Sequence, residues 1–291
     1  MSDANSKITQ YHLHKAHPEK LQFELYSLWE YRNKNVEKAA IPHSHSYYQI
    51  IWFFKGGGSH IIDFKSYDIK ENTLLFVTKD QIHAFDDNLD IDGWLIHFNE
   101  SFFTPSDVDI LLKYNIFSSL QHPCYAIDAT MARIGESYID LIQAELKERH
   151  RFGYEDVIRF LLKSLLINLE RIQQPDSDNS SGHTYYELQY YTFKSLIETH
   201  YKGGLSIHEY GSLLHISSKT LTTITKTVGN KLPSQLIAER IILEAKRLLK
   251  FTSLQISEIA FRLGFEDASY FVKYFKRYMG SSPKKYRNTV L

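Results

Sequence analysis

Two segments about fifty residues apart repeat one amphipathic pattern, and this repeat constrains the fold more than any other feature of the chain. In Asp267–Met279, a step of about 100° per residue places Tyr274, Phe275 and Tyr278 within about 60° of Phe271. Ser269, Lys273, Lys276 and Arg277 fall at least about 120° away. In Ser217–Val228, Ile224, Thr225 and Val228 cluster around Leu221 in the same way, with Lys219, Thr222, Thr223 and Lys226 turned from them. Each helix therefore has an apolar back for a core and a front of cations and small hydroxyls. A helix lying in a major groove needs such a front. Upstream of the second segment, Ile256, Ile259, Ala260 and Leu263 follow the i, i+3, i+4, i+7 rule, and Gly264-Phe265 comes next. A helix, a glycine turn and a polar-fronted helix make a helix-turn-helix. Ile207 stands 14 residues before Leu221, and Ile256 stands 15 before Phe271, so the unit occurs twice.

Between the two units, Ser234–Lys250 is expected as one helix, with Ser234 as its cap after Pro233. Ile237, Ile241, Ala245 and Leu248 share one side of it. As a rigid spacer, it could hold two recognition helices about one duplex turn apart, roughly 34 Å.

The polar stretch Gln173–Gly182 has Pro and Gly and no periodicity, which predicts a flexible linker. The sign of the charge changes there. Residues 184–291 carry 16 Lys/Arg and 8 Asp/Glu, whereas residues 1–183 carry 18 and 26, hidden within a net charge of zero. A basic half beside an acidic one points to an anionic partner, most often nucleic acid. The expected domains are 1–172, a linker at 173–183, and 184–291. The total of 291 residues suits two domains of about 100–200 residues each. No apolar run of about 18 residues exists to span a membrane. The N-terminus is polar, so no secretory signal is expected, and the single cysteine, Cys124, rules out internal disulfides and fits a reducing cytoplasm.

Residues from about 20 to 100 read as β-structure. Tyr47–Phe54, ended by Gly56-Gly-Gly58, and Ser59–Phe64 look like a hairpin. Asn72–Thr78 and Asp92–Phe98 are further strands, and strands so spaced suggest a small barrel or sandwich. Two amphipathic helices follow, Met131 to about Arg149 and about Tyr154 to Gln173. The second carries Leu161, Leu162, Leu165, Leu166 and Leu169, a surface broad enough to predict pairing with a second copy of the chain. After residue 184 about seven short helices are expected.

Read in order, Ala245-Lys-Arg-Leu-Leu249, Ile256-Ser-Glu-Ile-Ala260, Gly264-Phe265, Ser269-Tyr-Phe271, Phe275-Lys276, Gly280, Ser282-Pro283 and Tyr286-Arg287 resemble the tandem helix-turn-helix domain of AraC/XylS-type transcriptional regulators. The first unit departs from that pattern, with Tyr210-Gly211 where Leu-Ala is usual and Asn230 where a Gly is usual, so looser packing is expected there. The resemblance implies base-facing Lys219, Thr222 and Thr223 in the first helix and Ala268, Ser269 and Lys273 in the second. It also implies phosphate contacts from Lys226, Lys276 and Arg277. Thr suits thymine methyl contacts more than strong reading of guanine.

In the acidic half, His43-Ser-His45, Gln49 and Gly56 have the spacing of a first cupin motif, and His83 stands where the second motif places its histidine. The segment resembles the cupin-like sensor domain of many AraC-type regulators. The implied effector pocket comprises His43, His45, Tyr48, Gln49, Ile50, Trp52, His83 and Trp94. In a metal cupin, His43, His45, Gln49 and His83 would be the ligands. With Gln in place of Glu and Lys79-Asp80 in place of Pro-Gly, no resident metal or other cofactor is expected. The expected fold is α+β in two domains: a cupin-like small β-barrel with two C-terminal helices, then an all-α tandem helix-turn-helix domain. The implied partners are double-stranded promoter DNA, a small-molecule effector, a second copy of the chain and, for an activator, RNA polymerase. Gly56–Gly58 lies between strands, so it is not a phosphate-binding loop, and no nucleophile elbow occurs. Two alternatives stay open: a metal-dependent cupin enzyme, and a regulator that needs no effector.

Overall fold

The computed structural model describes residues 8–86, 91–104, 123–171 and 185–289. The described chain divides into two compact units, one mainly strands and the other entirely helices. The expected linker at 173–183 lies outside the described residues. No helix among the described residues is long and apolar enough to cross a membrane.

The first unit is a sandwich of two five-stranded sheets. One has the order β1 (Thr9–Tyr11), β3 (His43–His45), β8 (His83–Phe85), β5 (Ser59–Ile62), β6 (Lys65–Asp68). The other has the order β10 (Cys124–Ala126), β7 (Thr73–Val77), β4 (Tyr48–Lys55), β9 (Asp92–Phe98), β2 (Phe23–Ser27). Among the described residues the two sheets share no ladder, so the strands form a sandwich and not the closed barrel expected. The expected hairpin is absent as well. β4 pairs with β7 and β9, while β5 pairs with β6 and β8 in the other sheet. Gly56–Gly58 is thus a crossing between sheets. A Cβ on Gly56 would lie 2.3 Å from the Lys70 carbonyl carbon, and Gly58 takes a left-handed φ of 89°.

Helix α1 (Leu28–Ala40) interrupts the stretch expected to be all β. Ser27 caps it, with its hydroxyl accepting from the Glu30 amide at 3.4 Å. Helices α2 (Ala129–Lys147) and α3 (Tyr154–Arg171) lie where the apolar periodicity predicts.

Two cores result, one on each face of the second sheet. Ile51 and Phe53 of β4 pack between the sheets with Ile62, Leu75, Val77 and Phe85. Ile50 and Trp52 point the other way and pack under α2 and α3. Gly135 lets α2 come close: a Cβ there would fall 2.2 Å from the Trp52 ring. The leucines of α3 serve this second core. Leu162, Leu165, Leu166 and Leu169 are buried and Leu161 packs against them, so they are not left over for a second copy of the chain.

The second unit contains seven α-helices among its described residues: α4 (Tyr185–His200), α5 (Ile207–Leu213), α6 (Ser218–Gly229), α7 (Pro233–Phe251), α8 (Ile256–Arg262), α9 (Ala268–Met279) and α10 (Pro283–Arg287). The spacer α7 starts one residue earlier than expected. Leu232 is its N-cap, its amide bound by Gln235 Oε1 at 2.7 Å, and Pro233 takes the first helical position, where its fixed φ fits. Arg287 closes the C-terminus onto α7, donating from Nε to the Leu249 carbonyl at 3.1 Å and from a terminal nitrogen to that of Leu254 at 2.6 Å.

Candidate functional site

The space between the two sheets contains a cavity of about 230 Å³. Strand register explains its lining. Residues directly opposite one another in an antiparallel pair share a face. Glu24 lies opposite His97, and His97 opposite Gln49, so β2, β9 and β4 bring a carboxylate, an imidazole and an amide into one row. All three line the cavity, with Tyr26, Tyr31 and Tyr47 beside them. The facing sheet supplies His43 and His45 from β3.

Five buried histidines gather here: His43, His45, His60, His83 and His97. His43 lies opposite His83 in the β3–β8 pair, and their rings are 4.4 Å apart. His60 Nε2 and His83 Nδ1 are 3.0 Å apart, and His83 Nε2 and His45 Nδ1 are 3.3 Å apart. His43 Nδ1 donates to the Ile41 carbonyl at 2.8 Å. Burial disfavours the charged imidazolium, and it pushes His60 and His97 down to about 3. It also holds His45 and His83 well below the ordinary histidine value. Burial lowers His43 as well, so all five are neutral near pH 7. His45 Nε2, Gln49 Oε1, His60 Nδ1 and His97 Nε2 are buried with no hydrogen-bond partner. An unsatisfied buried polar atom costs about 1–3 kcal/mol, so the three on His45, Gln49 and His97, all lining one cavity, mark a site built for something to fill it.

Five of the expected pocket residues, Tyr48, Ile50, Trp52, His83 and Trp94, do not line this cavity. Tyr48, Ile50 and Trp52 are the even residues of β4, and Trp94 lies opposite Trp52 on the same face, so all four belong with the core under α2 and α3. His43, His45 and Gln49 line the cavity, and His83 is buried against His43 and His45. Sequence reasoning missed Glu24, Tyr26, Tyr31, Tyr47, His60 and His97. The register that gathers them is a property of strand pairing, which local sequence does not carry.

The helical unit presents two equivalent frameworks. Leu214 N bonds Tyr210 O and Ile216 N bonds Gly211 O in the first; Leu263 N bonds Ile259 O and Phe265 N bonds Ala260 O in the second. Glu209 accepts from the Ser206 amide, and Glu258 accepts from that of Gln255. The turns are left-handed at His215 (φ 55°) and Gly264 (φ 85°), and the long helices end left-handed at Asn230 and Gly280. The first unit is not the looser of the two. Tyr210 is 1% exposed and meets Phe193 of α4 edge-on at 5.3 Å. Its turn is one residue shorter, and a Cβ on Gly211 would lie 2.7 Å from the Ile216 carbonyl oxygen, which is why glycine stands where the second unit has Ala260.

Both recognition helices bury the centre of their predicted backs, Leu221, Ile224 and Thr225 in α6 and Phe271 and Phe275 in α9, while Val228 and Tyr274 are half-buried and Tyr278 is exposed. Lys219, Thr223, Lys226, Ser269, Lys273, Lys276 and Arg277 are exposed, while Thr222 and Ala268 are half-buried. The hydroxyls of Thr222 and Thr223 donate to the backbone carbonyls of Ser218 and Lys219, turning their methyl groups to use. Interior cations are paired: Arg240 Nε donates to Glu198 Oε2 at 2.6 Å, and Arg247 and Arg240 share Glu244 at 3.3 Å. Lys219, Lys226, Lys273 and Lys276 have no ion-pair partner among the described residues.

Residues 210–289 match the helix-turn-helix domain family, and residues 31–117 match the AraC-like ligand binding domain family. The chain is a transcription regulator of the AraC family. It is 23% identical over 256 residues to the HTH-type transcriptional activator RhaS of Enterobacter sp. (strain 638), covering 87% of this chain and 89% of that protein. It is 32% identical over 96 residues to the raffinose operon transcriptional regulatory protein RafR of Pediococcus pentosaceus, 33% of this chain and 35% of that one. Among solved structures, the C-terminal domain of AraT, a response regulator from Geobacillus stearothermophilus, is 28% identical, covering 38% of this chain and 90% of that chain at a TM-score of 0.35. For an AraC-family regulator the layout is ordered: a ligand-binding sandwich first, a DNA-binding helical unit second.

Proposed function

We propose that α6 and α9 read one promoter site from successive major-groove segments of double-stranded DNA. Lys219, Thr222 and Thr223 face bases from α6, and Ala268, Ser269 and Lys273 from α9, while Lys226, Lys276 and Arg277 hold phosphates. One observation carries this reading: the unit pairs its buried cations and leaves the lysines on the fronts of α6 and α9 exposed without ion-pair partners. Unpaired surface cations release condensed counterions when they meet phosphates, which favours binding. Half-buried Thr222 and Ala268 are small enough to let the helix backbone approach a base edge, and the Thr222 methyl suits thymine.

The chain acts as a cytoplasmic regulator and not as an enzyme. A small polar effector occupies the cavity between the sheets and shifts the population of the form competent for DNA. The domains run 1–172 and 184–291 with a linker at 173–183. A homodimer forms through the apolar side chains that α2 and α3 leave exposed, Ile134, Leu141, Val157 and Phe160, and an activator would add a contact with RNA polymerase. The test is selection of random duplex DNA by the full-length chain near physiological salt, with and without small polar metabolites. The expected product is a bipartite site of about 20 base pairs, two helical turns. A folded chain that enriches no sequence under any of these conditions would overturn the reading.

A further inference from the structure

We propose that the effector of the sensor is a small primary amine, its ammonium group seated against His97 and Gln49 and its charge balanced by Glu24. This deepens the reading of the cavity as the effector site and rests on it. Strand register sets the geometry. Glu24, His97 and Gln49 stand opposite one another across β2, β9 and β4, and all three line the cavity. Neighbouring strands lie about 4.8 Å apart, so the three form a row about 10 Å long. His97 and Gln49 are each 2% exposed, and His97 Nε2 and Gln49 Oε1 are buried without a hydrogen-bond partner.

That row lacks a donor. Gln49 Oε1 can only accept. The His97 ring is neutral, and Nδ1 is its nitrogen nearer Glu24, 3.9 Å from Oε2. A proton on Nδ1 leaves Nε2 as a second acceptor. Glu24 is held in place by His14 Nε2 at 3.1 Å and by a hydrogen bond with Tyr26. An ammonium group has three donors and no acceptor, which matches a row of acceptors ending in a carboxylate. Charge points the same way. Among the described residues that line the cavity, Glu24 is the only acid and there is no Lys or Arg, so a carboxylate or phosphate would find no cation to pair with. Tyr26, Tyr31 and Tyr47 surround the His97 ring at 5.6, 5.7 and 4.7 Å, and tyrosine faces attract a cation. Burial keeps these phenols neutral, pushing Tyr31 up to about 12 and Tyr26 and Tyr47 well above the ordinary value. The cavity of about 230 Å³ equals the share of about eight waters in the liquid, so the amine is small.

The test is calorimetric titration of the full chain, without DNA and at fixed salt, with amines paired to alcohols of the same skeleton. The probes are butylamine and 1-butanol, 1,4-diaminobutane and 1,4-butanediol, and phenethylamine and 2-phenylethanol, with phenylacetate as the anion. At least one amine should bind about 10-fold or more tightly than its own alcohol, and phenylacetate should not bind. This comparison needs no variant to fold. Glu24→Gln keeps the shape and removes the charge, and it should weaken the amine about 10–100-fold while leaving its alcohol within about 2-fold. Gln49→Met should weaken the amine about 10-fold by removing one acceptor. Glu19→Gln, exposed and away from the cavity, should change nothing. An amine preference that survives Glu24→Gln in a folded chain would overturn the proposal. An alcohol or phenylacetate that binds while the amines do not would also overturn it, and would leave the effector reading standing. No binding by any probe to the folded wild type would count against both.

Discussion

The two helix-turn-helix units share a backbone and differ in how they reach it. In the second, the turn is left-handed at a glycine, and no other residue fits: a Cβ on Gly264 would lie 1.9 Å from the Lys202 carbonyl oxygen. In the first, the same left-handed position is held by His215, and the glycine has moved four residues back to Gly211, where the shorter turn brings the Ile216 carbonyl down. The fronts differ as well. α6 offers threonine hydroxyls tied to their own backbone, whereas α9 offers Lys273, Lys276 and Arg277. A glycine is therefore required by whichever backbone approaches closest, and its place shifts with turn length. The second unit carries more of the charge and is expected to supply more of the affinity; the first supplies discrimination of a weaker kind.

Substitutions can break this comparison, beginning with the largest effect. Gly264→Ala combines the left-handed strain with a backbone clash, and it should cost about 3–5 kcal/mol in the unfolding free energy of the helical unit, measured by denaturant melting. A cost below about 1 kcal/mol would mean that the turn is free to move. Lys273→Ala should weaken specific DNA binding by about 1–3 kcal/mol and relax the preference at one position, read from competition between site variants. Lys276→Ala should weaken binding to all sequences alike and lower the slope of log affinity against log salt by about 1. Unequal losses across sequences would make Lys276 a base reader. Thr223→Ala should cost only about 0.5–1 kcal/mol, at a position in the other half of the site, with the salt slope unchanged, because a methyl group and a hydroxyl bonded within its own helix are lost, and no charge. His215→Gly should gain up to about 1 kcal/mol of stability by relieving the left-handed strain, the opposite sign to Gly264→Ala at the matching position.

The helical unit was readable because its helices have one wet side. Lys219 and Lys273 fall opposite Leu221 and Phe271 in the sequence, and they do so in space. Asn230 holds the left-handed helix end as its short polar side chain allows. The sensor was harder because β4 is buried on both faces. Apart from Gln49, Tyr48–Phe54 is apolar throughout, so hydrophobicity alone does not say which alternate set faces the cavity, with Gln49, and which faces the helices, with Ile50 and Trp52. Alternation within β4 still sets Gln49 apart from Tyr48, Ile50 and Trp52, so a pocket that combines them joins two opposite faces of one strand. The triglycine reads as a turn within one sheet, because local sequence says that the chain bends and not which sheet it enters. His60 and His97 join the cluster through cross-strand register, a long-range property.

The most direct test of the central claim, that both long helices of one chain read the same DNA, is a cycle between protein and base substitutions on the selected site at fixed salt. Two half-sites about one helical turn apart, roughly 34 Å, are expected. Lys273→Ala should couple only to bases in one half, and Thr223→Ala only to bases in the other. Coupling of both substitutions to the same bases, or a single uninterrupted half-site, would contradict the claim.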